Sequence, residues 1–538
     1  MNSFLKAFDP GAWRRAYTRF AQRRHSDRLR LQVESGYRDM GPVTSGNGPG
    51  TVIADGMWDN PNHFFRLRLF LEALPDIKNL RLLGVLRRHD DRTRRTLETL
   101  GFREFIFIEE HGFRTEDFLP EARALLSGVR THADLLKLAL PEALPAYTCY
   151  DTVLKFACHP QPPLDDPLWL RCLAETLRNL AIYKALLEQA AATHVVLSHP
   201  WKNEFATLMW TALKRGIPAY HLTGYCEGIR VRRFLKPEDY FTPVEHLTHG
   251  EYLALPDGVR CKLRDEGAAY LEQREAGTST DINARYAFRP DLRHATRAAA
   301  RQALGGQPGR PLAVIYSHVW FDFPHTFAMS NFTDFLDWMR FTIEQIRRLD
   351  GVDWVLKPHP TERWYGGFRL ADLLGDLPPH VRIVADATDS LTTMLAADAV
   401  ITVHGTVGLE AAAHGLPVIA ADRSYYGDWG FVHVAGSRAE YAQLLASVGR
   451  LAPPGEDGQA AALACTALAL APTPADEGMI ELKCDSSGAV LFEDILGRQG
   501  SGAPALNLER QALGTWLRGN SSSYSADLKI RHFARQTR

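Results

Sequence analysis

Residues 399–421 read AVITVHGTVGLEAAAHGLPVIAA. An apolar run leads to His404, Gly405 and Thr406, a helix-favouring run follows, Gly415 stops it, and a second apolar run begins. That is strand, tight turn, helix, stop, strand, the unit that builds parallel sheets. The same alternation runs outward in both directions. Ahead of it lie strand patterns at 311–318 (PLAVIYSH), 352–357 (VDWVLK) and 381–385 (VRIVA), with helix patterns at 332–349 and 391–397. The first half repeats the theme, with strands at 50–56, 80–86, 104–110, 194–198 and 216–222 and helices at 62–74, 91–100, 168–193 and 203–215.

The fold class read from this pattern is α/β, with two Rossmann-like doubly wound domains facing across a cleft. A chain of 538 residues exceeds one ordinary core. The expected divisions are a basic N-terminal helix (1–35), a first Rossmann-like domain for an acceptor (36–240), a helical linker (241–310), a second Rossmann-like domain for a nucleotide (311–450), and an irregular, partly flexible C-terminal extension (451–538). Lys and Arg number 62 against 63 Asp and Glu, a formal net charge of −1, so bulk charge gives no sign of nucleic-acid binding. Seven scattered cysteines without a CxxC give no zinc site and suggest reduced thiols. No apolar run reaches membrane-spanning length and no signal-peptide core stands at the start, so the expected location is the cytoplasm.

The first thirty residues hold Lys6 and seven arginines against Asp9 and Asp27, with Trp13, Tyr17 and Phe20 on one helical face. Such a stretch either lies on an anionic membrane surface, making the chain peripheral on the inner face of the cytoplasmic membrane, or packs on its own domain with a solvated basic face.

Ligands of doubly wound sheets sit beyond the carboxyl ends of the strands. KPHP (357–360) ends one strand there. Pro358 and Pro360 stiffen the turn and present Lys357 and His359 extended, as partners for phosphate oxygens. At 404–406, Gly405 permits close backbone approach and Thr406 is read as the N-cap of a helix whose free N–H groups favour an anion. Glu410 on that helix either reaches a ribose hydroxyl or compensates the helix dipole. In the first half, carboxylates stand at two strand ends, Glu227 and Asp55, the latter either catalytic or a helix cap. His199 and the trio Arg230, Arg232 and Arg233 are candidates for holding an acidic sugar or an anionic acceptor, the alternative for the arginines being a solvated basic loop.

KPHP, HGTVGLEAAAHGLPVI and SYYGDWGF (424–431), with YSHVWFDFPHTF (316–327), resemble the capsule polysaccharide biosynthesis glycosyltransferases of GT-B fold, in particular the bacterial Kdo (3-deoxy-manno-octulosonic acid) transferases. The resemblance covers about 310–432. It implies that Lys357, His359, Pro360, His404, Gly405, Thr406 and Glu410 hold a nucleotide-sugar donor, CMP-linked, and that Glu227, after a GIP-type strand, is the reactive carboxylate. Cys226 stands where that family has an acidic residue. The activity so implied is transfer of Kdo or a related acidic sugar to a surface-polysaccharide or glycolipid acceptor. No DxD stands in a nucleotide-binding position, so no metal and no cofactor are expected, and no nucleic-acid partner. A UDP-sugar 2-epimerase-like enzyme and a non-catalytic nucleotide-binding protein are the alternatives.

Overall fold

The computed structural model describes residues 31, 34, 41–89, 91–223, 229–241, 247–279, 281–362, 368–385, 388–473 and 499–537. The basic stretch 1–30 lies outside them. Two six-stranded sheets carry the molecule. The first holds β1 (Gly50–Asp55), β2 (Leu80–Leu86), β3 (Glu104–Phe107), β4 (Ala192–Leu197), β5 (Ala219–Thr223) and β6 (Arg230–Phe234) in the order 3-2-1-4-5-6. All neighbours are parallel except β6, which runs back along β5. The second holds β7 (Leu312–Tyr316), β8 (Asp353–Lys357), β9 (Val381–Ile383), β10 (Ala399–Thr402), β11 (Val418–Ala420) and β12 (His433–Val434) in the order 12-11-10-7-8-9, all parallel.

Both sheets share one topology. The chain enters at a middle strand, builds outward for three strands, then crosses over and builds the other way. The reversal falls between β1 and β4 in one sheet and between β7 and β10 in the other, and such switch points open a crevice at the strand ends. Central strands such as Leu312–Tyr316 are buried throughout, as helices on both faces of a parallel sheet require.

The reading of three segments changes. Residues 230–234 are a strand, not a basic loop, because every one of them is buried between β5 and the C-terminal helices. The region 241–310, expected as a helical linker, is helical and packs on the second half. Its helix α1 (Asp257–Glu275) buries Val259, Leu263, Gly267, Tyr270 and Leu271 on one face, an amphipathic spacing hidden by its charged outer face. A methyl group at Gly267 would sit 1.8 Å from the Leu463 carbonyl oxygen, so α1 meets α2 (Gly455–Ala469) backbone to backbone.

The C-terminal region is helical where described: α2, α3 (Gln499–Arg518) and α4 (Tyr524–Gln536). Its Ala-rich composition reads as coil, but small side chains let helices approach closely, and Ala461, Ala462, Ala464 and Ala467 are buried in α2. Leu513, Trp516, Tyr524 and Leu528 join the core of the first sheet, whereas Ala526 and Phe533 join that of the second. The chain end thus ties the two halves together. Among the described residues no helix is long and apolar enough to cross a membrane.

Candidate functional site

The second switch point gathers three histidines. His318 follows β7, His359 follows β8 and His404 follows β10. The His318 ring centroid lies 6.0 Å from that of His359 and 5.0 Å from that of His404. Phe335 supports His318 and His404 at 4.3 and 5.2 Å, and Phe327 stands edge-on to His404 at 4.8 Å. The stiff Pro358–His359–Pro360 turn is pinned because the His359 backbone N–H donates to Ser317 Oγ at 2.9 Å. His359 Nδ1 pairs with Thr361 Oγ1 at 2.9 Å and accepts from the Thr361 backbone N–H at 3.3 Å, so the ring hydrogen belongs on Nε2.

Burial keeps these rings neutral, helped at His359 and His404 by neighbouring imidazoles: His359 is pulled down to about 3, and His318 and His404 are lowered. His404 Nδ1 has no partner among the described residues. A neutral imidazole can donate one hydrogen bond without a resident counter-ion, and an arriving anion favours its protonation.

Beside them begins the helix Thr406–Ala413. Gly405, not Thr406, is its N-cap, and the Gly405 N–H donates to Thr402 Oγ1 at 3.0 Å. A methyl group at Gly408 would lie 2.3 Å from Tyr426 Oη, and that phenol donates to the Gly405 carbonyl at 2.7 Å. Tyr426 of the aromatic segment therefore holds the helix start in place.

Two expected ligand contacts are committed elsewhere. Lys357 is 1% exposed and its Nζ donates to the Thr388 carbonyl at 2.7 Å. Its charge is felt at His359, which it helps to keep neutral, rather than presented at the surface. Glu410 Oε1 accepts from Arg274 Nε and Nη2 at 3.0 and 2.8 Å, and Arg274 also binds Asp281 at 2.5 Å. Glu410 is buried beneath the helix, so it compensates Arg274 instead of reaching for a ribose.

The first switch point is built differently. Asp55, at the end of β1, is fully buried and accepts from the Ser198 N–H at 2.5 Å and the Ser198 hydroxyl at 2.8 Å. Burial pushes its carboxyl up to about 7 against those hydrogen bonds. It clamps the ends of β1 and β4 and has no access to an acceptor. His199, next in chain, is also kept neutral by burial, near 3. Glu227 lies outside the described residues.

The expected anion-binding arginines are corrected. Arg230 donates to the Ala469 and Ala471 carbonyls, Arg232 to that of Asp239, and Arg233 to those of Leu517, Gly519 and Ser521. They satisfy carbonyls at helix ends and turns that would otherwise be buried unpaired.

The two switch points face each other. The loop between β7 and the helix Phe335–Ile346 crosses to the helix Tyr147–Ala157 of the first half. Lys155 Nζ donates to Asp322 Oδ1 at 2.7 Å. His325 Nδ1 pairs with Asp151 Oδ1 at 2.7 Å, and the Tyr150 hydroxyl donates to Asp334 Oδ2 at 2.5 Å. His199 lies 5.5 Å from Phe323 across the same cleft. This is the GT-B arrangement.

The sequence reading passed over His318, Lys155, Asp322 and the Asp151–His325 pair. One signal was present: β4 and β7 both run out into Ser–His, at 198–199 and 317–318. Nothing local shows which helix the loop after His318 will meet. Among the described residues no cluster of three or more His, Cys, Asp or Glu is arranged to hold a metal ion.

No family model and no curated protein sequence matches the chain. Solved structures similar to it include the UDP-GlcNAc 2-epimerase of Neisseria meningitidis, at 11% identity over 78% of this chain and 99% of that one, with a TM-score of 0.24. The β-Kdo 2,4 transferase of Thermosulfurimonas dismutans KpsC is 14% identical over 57% and 87%, with a TM-score of 0.34. A glycosyltransferase of Rickettsia africae is 10% identical over 88% and 100%, with a TM-score of 0.27.

Proposed function

We propose that this protein is a glycosyltransferase that takes a sugar from a nucleotide-sugar donor to a glycan or glycolipid acceptor. The observation that carries the reading is the second switch point. Three neutral imidazoles and a helix start converge at adjoining strand ends and face the other half of the molecule across a cleft. Preorganised N–H donors at such a place suit the phosphate that departs with the nucleotide, where negative charge grows as the glycosidic bond breaks. His359 and His404 with the Gly405 turn would hold that phosphate, and His318 would pack beside them. Cleft closure would exclude water.

The finer reading rests on the motif resemblance. The donor is proposed to be CMP-linked, carrying Kdo or a related acidic sugar, and the product a bacterial surface polysaccharide or glycolipid. Glu227 is proposed as the reactive carboxylate. As a base it takes the acceptor proton and the product is inverted; as a nucleophile it forms a glycosyl–enzyme intermediate and configuration is retained. No metal ion is required by this scheme. The 1–30 stretch is proposed to hold the chain at an anionic membrane surface.

A thermal-shift comparison of CMP, UDP, GDP and CDP tests the reading. Ligand at 100 times its dissociation constant adds about 2.7 kcal/mol of stability. A shift with CMP alone supports the donor class. A shift with UDP, followed by epimer formation from UDP-GlcNAc without acceptor, would replace transfer by epimerisation. No shift with any nucleotide would remove the reading.

A further inference from the structure

The mouth of the first switch point carries an aromatic arrangement that the nucleotide site does not use. Trp58 follows β1 and is 40% exposed, an unusual placement for an indole at a strand end. Its ring lies 6.4 Å from that of His199 at an interplanar angle of 87°. Trp201 approaches the same imidazole at 5.7 Å and 88°. Phe205 lies beneath His199 at 5.7 Å, and Phe323 of the facing half approaches at 5.5 Å.

We propose that Trp58, with His199 and Trp201, forms a subsite for the apolar face of an uncharged pyranose ring, the acceptor end of the transfer proposed above, on which this assignment rests. An exposed indole offers a flat, rigid surface to the patch of C–H groups on one side of a pyranose. Ordering it costs little entropy and desolvating it is favourable. Trp58 has an open face and lies beside a polar ring, the combination of apolar wall and few placed polar groups that ligand sites use. The Trp201 backbone N–H points at His199 Nδ1, 3.5 Å away, so the ring hydrogen belongs on Nε2 as a donor for a sugar hydroxyl.

The charges near the subsite speak against an anionic group there. Lys155 is paired with Asp322 at 2.7 Å and Lys202 with Glu204 at 3.6 Å. Lys202 Nζ also sits over Phe156 at 4.8 Å. Arg230, Arg232 and Arg233, which would have served a carboxylate, point to backbone carbonyls instead. The position fits the chemistry: the Phe323 contact places the subsite where the two halves meet.

Saturation-transfer NMR on the full chain tests the proposal, with methyl β-D-glucopyranoside as probe and mannitol as an open-chain polyol without a flat face. Transfer to the axial ring protons of the pyranoside, absent for mannitol, is expected. Trp58→Ala should weaken pyranoside binding about tenfold, equivalent to about 1.4 kcal/mol, and Trp58→Tyr should restore most of it. Trp58 is exposed, so its loss leaves the fold intact, and matched unfolding curves verify this. Equal transfer to mannitol, or unaltered pyranoside binding in Trp58→Ala, overturns the subsite. The unaltered chain is screened with CMP in parallel. Nucleotide binding without pyranoside binding removes the subsite and keeps the transfer reading. Pyranoside binding at Trp58 without any nucleotide binding keeps the sugar subsite and removes the reading.

Discussion

The two switch points have the same strand order and both receive a Ser–His from a middle strand, yet they do opposite things with it. At the first, Ser198 gives both of its donors to Asp55 and closes the crevice floor with a buried carboxyl. At the second, Ser317 Oγ accepts from the His359 backbone, and His404 Nδ1 above it is left without a partner among the described residues. The lesson is that a switch point supplies a crevice, and the groups left unpaired there decide whether it becomes a floor or a site.

The largest expected effect lies under the second switch point. Arg274→Ala leaves Glu410 buried without its partner, and should cost about 3–5 kcal/mol in urea unfolding. Pairing Arg274→Met with Glu410→Gln should recover much of this. A small cost in the single variant would mean that the pair is not what holds the helix under the site.

Next is the contrast in nucleotide binding. His359→Ala should lower nucleotide affinity by about 1.5–3 kcal/mol in calorimetry. Ser198→Ala, at the first switch point, should leave that affinity unaltered. Equal losses would erase the distinction between the two crevices. The affinity of the unaltered protein should also rise as pH falls, because bound phosphate draws a proton onto an imidazole held near 3 when empty.

Stability should carry opposite pH signatures. The Asp55 carboxyl is near 7 when folded against an ordinary value of 3.8, so the folded state holds the extra proton. The stability associated with its neutral form is present in acid and lost as pH rises from about 4 through about 7. Asp55→Asn should remove that loss. The His359 ring is near 3 against 6.5, so its contribution is present above about 6.5 and lost as pH falls toward 3. His359→Gln should flatten that limb. Unfolding free energies across this range, with the two variants sharing one slope, would contradict the assignment.

The smallest effect concerns the helix start. Tyr426→Phe removes one hydrogen bond to Gly405 and should cost about 1 kcal/mol of stability, with a slight fall in nucleotide affinity. No change in either would show that packing alone positions the turn.

Much was legible where the determinants are local. Apolar runs, Gly405, Gly415 and the prolines around His359 mark strand ends and turns through backbone preferences that act within a few residues. His318 was not, because its importance depends on two other strands arriving beside it. The arginines of β6 and the Ala-rich C-terminal helices were misread for a related reason. Their partners are carbonyls and helix faces far away in the chain, and composition does not reveal them. By itself the sequence determined that the molecule would be two parallel α/β sheets with polar groups at particular strand ends. Tertiary structure alone decided which of those groups are buried and clamped, as Asp55 and Lys357 are, and which are buried neutral with a ring nitrogen unpartnered among the described residues, as His404 is. Burial and long-range pairing set the charge and reach of a side chain, and neither is a property of its neighbours in sequence.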